Sequence, residues 1–135
     1  MYKEVDANFE LIKQEFKSRD NNTELVEKAY YYAKSAHKDQ VRKDGKPYIS
    51  HPVSVALILA KLGFNEDVVS ASLLHDVVED TSYTIDDLRS LFGDKVATLV
   101  EGLTKIKTVL DNEDKAQQKS MQAENFKRIL LTLND

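Results

Sequence analysis

At 135 residues, with 41% hydrophobic and 31% charged residues, the chain predicts one soluble domain large enough for a real core. Cysteine is absent, which excludes disulfides, thiolate metal sites and a cysteine nucleophile, and a net charge of -4 argues against a general nucleic-acid binder. The first residues lack the apolar run of a signal peptide and no apolar stretch reaches bilayer length, so the expectation is a cytoplasmic protein with no membrane partner.

Glycine occurs four times and proline twice, and almost every segment shows helical spacing. Residues 4–18 carry Val5, Phe9, Leu11, Ile12 and Phe16 as a short amphipathic helix. Asn22 or Thr23 can cap a second helix to about His37, with Leu25, Val26, Ala29, Tyr30, Ala33 and Ala36 inward. Tyr30, Tyr31 and Tyr32 are consecutive and cannot share a face, which predicts at least one of them at an interface or cleft edge. Asp44-Gly45 is a turn signal, and Pro47 and Pro52 push the residues before them out of the helical region. Ser50 can cap the next helix with Pro52 in its first turn, which places His51 at a helix start. Residues 53–62 make that helix almost wholly apolar and central, and Gly63 closes it.

Asn65 is the cap expected for the following helix. Thr84-x-x-Asp87 reads as a capping-box variant opening a short helix stopped at Gly93, and Val96, Leu99, Val100 and Leu103 share a further helical face. Residues 107–122 are polar and predict a mobile connection, or a solvated helical turn or two. Glu124 to Leu133 resumes as a final amphipathic helix with Phe126, Ile129, Leu130 and Leu133. The fold class read from this pattern is all-α, one compact domain over residues 1–135 with about six or seven helices.

The helix after Asn65 holds the chemistry. At 100° per residue, Leu73, Leu74, Val77 and Val78 share one arc, and His75, Asp76, Glu79 and Asp80 the opposite one. His75–Glu79 and Asp76–Asp80 are i,i+4 pairs, so three carboxylates and an imidazole crowd one stripe. Val68, Val69 and Ala71 make the preceding turns apolar on that side too, which predicts burial. Buried carboxylates at this density need a cation or protons, and a histidine beside them points to a transition metal rather than calcium. Charge is also uneven along the chain. Lys34 to Lys46 holds five bases and two acids, whereas Phe64 to Asp94 holds eight acids against Arg89 alone. A basic loop brought up to the acidic helix suits a phosphate-bearing ligand with a divalent ion between.

Three ordered motifs then carry a resemblance. They are Ala36-His37-x-x-Gln40-x-Arg42-Lys43-Asp44-Gly45-x-Pro47-Tyr48-Ile49-x-His51-Pro52, Ala71-x-Leu73-Leu74-His75-Asp76-Val77-Val78-Glu79-Asp80-Thr81, and Phe92-Gly93-x-x-Val96-x-x-Leu99-Val100-x-Gly102-x-Thr104-Lys105. Over residues 20–134 the chain resembles the hydrolase domain of the RelA/SpoT family, within the HD superfamily of metal-dependent phosphohydrolases. The resemblance implies an HD-type helical fold and hydrolysis of guanosine 3′,5′-bis(diphosphate)-type alarmones to GDP or GTP and pyrophosphate. It implies manganese (Mn2+) as cofactor and a guanine nucleotide alarmone as partner. By position, His51, His75 and Asp76 match the metal ligands, and Glu79 and Asp80 the pair that positions or deprotonates the attacking water. Arg42 matches the residue packing on the guanine face, and Lys43 its neighbour in the nucleotide pocket. For His37 the expectation is a packing or hydrogen-bonding role.

One departure stands out. The family takes its fourth metal ligand from an aspartate in a Lys-x-Ala-Asp-Arg-x-His-Asn-like motif, after the helix that here begins near Glu124, and Asp135 corresponds to an earlier, non-ligating position. The expectation is therefore a domain incomplete at its C-terminal end, with a loosely held ion, hydrolysis near background and self-association through the final helix. Two other readings stand beside the alarmone hydrolase. One is a non-catalytic nucleotide-binding or regulatory module from a bifunctional alarmone synthetase/hydrolase; the other is an HD phosphohydrolase of another nucleotide. Arg42-Lys43 and Glu79-Asp80 favour the alarmone reading, since a generic HD enzyme needs neither pair.

Overall fold

A computed structural model describes residues 2–110, with side chains through Leu103. Within them the chain is all-α, in six helices: α1 (Lys3–Ser18), α2 (Glu24–Ala36), α3 (Ser50–Lys61), α4 (Glu66–Asp80), α5 (Ile85–Phe92) and α6 (Asp94–Leu110). No helix is long and apolar enough to cross a membrane among the described residues. The polar stretch expected from Lys107 thus begins inside α6. The rest of it, and the helix expected from Glu124, lie outside the described residues.

α4 is the centre of the domain. It packs against α2, α3 and α6, while α1 lies on α3 and α5 on α6. Every α4 residue from Val68 to Val77 is buried. Small residues sit where the helices meet, Ser70, Ala71 and Ser72 on α4, Ala29 and Ala33 on α2, Ala56 and Ala60 on α3 and Ala97 on α6, all buried. Small side chains let helix axes approach closely, so one helix can be flanked by three. The sequence reading made α3 almost wholly apolar and central, and among the described residues α4 takes the central place instead. α3 buries Val53, Ala56, Leu59 and Ala60 but leaves Ile58 and Leu62 more than half exposed. An apolar run marks a helix that can be buried all round, but the number of neighbours decides whether it is.

The helix ends follow side-chain chemistry. α3 terminates in a Schellman turn, with the Gly63 N–H bonded to the Ala60 carbonyl at 3.1 Å and the Phe64 N–H to Leu59 at 3.2 Å. Gly63 sits at φ +92°, which a side chain would strain. Asn65 Oδ1 accepts from the Val68 N–H at 3.0 Å and caps α4. Thr84 and Asp87 form a reciprocal capping box at the start of α5. Two expected caps differ. Ser50 is the first residue of α3 rather than its cap, because Ile49 is already helical and turn bonds reach back to Pro47 and Tyr48. At α2, Asn22 Oδ1 accepts from the Glu24 N–H at 2.6 Å, whereas the Thr23 hydroxyl turns to Glu27.

The tyrosine triplet divides as its spacing requires. Tyr30 is buried, stacks on Phe9 with ring centroids 3.9 Å apart and donates its hydroxyl to Asp6. Tyr31 is exposed, and Tyr32 packs beside Tyr83 and Phe92.

Since α4 carries most of the core, its cap has a measurable weight. Asn65→Ala is expected to lower unfolding free energy by about 1 kcal/mol, and Asn65→Asp by only a few tenths. Urea denaturation checks this; equal stability of Asn65→Ala and the parent would remove the cap from the account.

Candidate active site

The segment between α2 and α3 folds as a short hairpin-like loop. Val41 and Pro47 form an isolated antiparallel bridge, the Arg42 N–H donates to the Lys46 carbonyl at 2.8 Å, and Gly45 N–H to Arg42 at 2.9 Å. Gly45 takes φ +85°, and Asp44 Oδ1 accepts from the Lys46 N–H at 3.0 Å. The Asp44-Gly45 turn therefore forms as expected, and it presents Arg42 and Lys43, both exposed, at its tip.

That loop overlies the acidic helix. A cleft of about 540 Å³ is lined by Val41, Arg42, Lys43, Asp44, Tyr48, His51 and Asp76. The basic loop and Asp76 of the acidic helix thus share one opening.

His51, His75 and Asp76 offer ligand atoms that all lie within 4.8 Å of one another. His51 comes from the first turn of α3, partly exposed; His75 and Asp76 come from α4 and are 5% and 1% exposed. The His51 and His75 ring centroids are 6.4 Å apart. His75 Nδ1 lies 2.5 Å from the Ser72 carbonyl, which only accepts, so that nitrogen carries the hydrogen. Its Nε2 faces Asp76 Oδ2 at 3.3 Å. A neutral imidazole nitrogen and a carboxylate oxygen are two acceptors, and they face each other stably only with a cation or a second proton between them. Two imidazoles and a carboxylate so arranged fit a divalent transition ion, and the Ser72 bond fixes the tautomer that ligation needs.

Glu79 and Asp80 differ from the expected buried stripe. Both are exposed, so of the three carboxylates only Asp76 is enclosed. The enclosing helices cover α4 only as far as Val77. Asp76, Glu79 and Asp80 still form one group, with ligand oxygens within 4.8 Å of one another. This end of α4 has no basic residue in its last turn. Carboxylates at the negative end of a helix dipole are unfavourable there.

Donors from the loop face that negative end. The Tyr48 hydroxyl donates to Asp80 Oδ2 at 2.7 Å, and Gln40 Nε2 to the Asp80 carbonyl at 2.9 Å. Gln40 Oε1 meets His37 Nδ1 at 2.9 Å, and the His37 and Tyr48 rings lie 4.7 Å apart. His37 is buried, in the packing and hydrogen-bonding role expected of it. Burial pushes the Tyr48 phenol well above its ordinary range, followed by its bond to Asp80 and the charge of Asp76, so it remains a protonated donor. Sequence reasoning assigned no role to Tyr48 or Gln40. The one available signal was the pair of acids at a helix C-terminus without a nearby base, a local conflict that calls for donors from elsewhere.

The family model described as HD domain matches residues 29–135. The guanosine-3′,5′-bis(diphosphate) 3′-pyrophosphohydrolase of Aquifex aeolicus (strain VF5) is 46% identical over 110 residues, 82% of this chain and 15% of that protein. GTP pyrophosphokinase rsh of Brucella melitensis biotype 1 is 42% identical over 116 residues, covering 86% of this chain and 15% of its own length. The bifunctional (p)ppGpp synthase/hydrolase SpoT of Escherichia coli (strain K12) is 42% identical over 114 residues, 84% of this chain and 16% of that protein. The chain thus spans only 15–16% of the length of these relatives. With its helical architecture, its clustered histidines and aspartate and these likenesses, the chain belongs to the HD domain family, in its RelA/SpoT branch.

Proposed function

We propose that this domain binds a guanosine 3′,5′-bis(diphosphate)-type alarmone and hydrolyses its 3′-pyrophosphate with manganese as cofactor. The observation that carries the reading is the single cleft in which Arg42 and Lys43 face His51 and Asp76. A generic phosphohydrolase needs the second group; a highly phosphorylated nucleotide also uses the first.

His51, His75 and Asp76 would hold the ion, through two imidazole nitrogens and a carboxylate oxygen. When bound, a divalent ion supplies Lewis-acid charge and acidifies water there. Arg42 offers a planar cation to the guanine face, a contact lysine makes poorly. Lys43 beside it meets phosphate oxygens as a point charge. Glu79 and Asp80, exposed and within reach of Asp76, accept a proton from the attacking water. Water adds at the phosphorus bonded to the ribose 3′ oxygen, that P–O bond breaks, and the 3′ oxygen takes up a proton as pyrophosphate departs.

Single-turnover pyrophosphate release tests the reaction, with the parent being a form that carries the expected aspartate motif, in excess over guanosine 3′,5′-bis(diphosphate). Release is expected to require manganese and to fall roughly 100-fold or more in Glu79→Gln, with manganese still bound. Parallel loss of metal and activity would put Glu79 among the ligands, and no manganese-dependent release from the parent would reject the reading. Arg42→Lys keeps the charge and removes the stacking plane, so alarmone affinity is expected to fall about fivefold by calorimetry. Undiminished affinity would place the base elsewhere.

A further inference from the structure

We propose that Tyr48 is a positioning residue: its hydroxyl, with the Gln40 amide, ties Asp80 to the loop that carries Arg42 and Lys43. The proposal rests on the alarmone-hydrolase reading for the reaction it serves.

Asp80 is the last residue of α4 and is exposed. A carboxylate there would ordinarily sample several rotamers, and the last helical carbonyls have no partner within the helix. Here both parts of Asp80 are engaged from the loop. Tyr48 holds Oδ2 at 2.7 Å, and Gln40 Nε2 holds the main-chain carbonyl at 2.9 Å. The two donors are themselves held. The Tyr48 N–H donates to the Gln40 carbonyl at 3.0 Å, Pro47 and Ile49 on either side are buried, and Gln40 is braced by buried His37.

Donor type matters as much as position. Lysine or arginine in place of Tyr48 would pair with Asp80 and neutralise it. A phenol is a neutral donor, and it orients one oxygen without placing a cation against the carboxylate. Asp80 also forms one group with Asp76 and Glu79, with ligand oxygens within 4.8 Å of one another. Arg42 and Lys43 are rooted in the same turn, so nucleotide held by the loop and carboxylate held by the loop share one frame.

Tyr48→Phe keeps the ring and deletes only the donor. Turnover is expected to fall by roughly 10- to 100-fold, the effect of a slightly misplaced catalytic group, with KM, manganese affinity and melting temperature within about twofold or a few degrees. Combined with Asp80→Asn, it is expected to be no slower than Asp80→Asn alone, since both act on one interaction. Independently of activity, the Asp80 carboxyl carbon resonance is expected to shift in Tyr48→Phe while that of Glu79 does not. Parent-like turnover, additive losses in the double variant or an unmoved Asp80 signal would each overturn the proposal. If the parent releases no pyrophosphate, the alarmone reading fails, and the Asp80 signal alone decides whether the tie exists.

Discussion

Asp76 is 1% exposed on a helix enclosed by three others, and the domain is built around compensating it. A carboxylate withdrawn from water must be paired, protonated or bound to a cation. His75 Nε2 lies 3.3 Å from its Oδ2, and the other ring nitrogen of His75 is committed to Ser72. The apolar packing that makes α4 central also creates this demand. Stability and chemistry therefore meet on one helix. The turns from Val68 to Val77 hold the core, Asp76 lines the cleft, and Glu79 and Asp80 in the last turn are exposed.

Two helix ends and a loop complete the arrangement. The first turn of α3 delivers His51, and its position is set by turn bonds to the Pro47 and Tyr48 carbonyls rather than by a side-chain cap. The loop before it closes through the Val41–Pro47 bridge and through Gly45 at positive φ. It presents cations outward and neutral donors inward. Arg42 and Lys43 face the opening, and Gln40 and Tyr48 reach the negative end of α4. The same few residues thus answer the charge of the helix terminus and leave the ligand-facing charge in place.

Much of this was legible in the residues. The 3.6-residue spacing of α4, the Asn65 and Thr84-Asp87 caps and Gly63 after α3 each depend on local chemistry, and each formed as read. The convergence of His51 with His75 and Asp76 was implied by resemblance and not by local pattern, because they come from different helices. What could not be read depends on neighbours. Ile58 and Leu62 look like core residues, but among the described residues the packing of α3 on α1 and α4 leaves them exposed. Glu79 and Asp80 continue the stripe of His75 and Asp76, yet lie where the enclosing helices end. The bond from Tyr48 to Asp80 spans 32 residues, and no periodicity announces it.

The central claim is that α3 and α4 together build one metal centre. Manganese titration by calorimetry, with bound ion followed by electron paramagnetic resonance, tests it most directly in His51→Ala, His75→Ala and Asp76→Asn. Each variant is expected to lose affinity by roughly 10- to 100-fold or more while keeping its helical circular dichroism. Unchanged affinity in His51→Ala would contradict the account, because the ion would then be held by α4 alone.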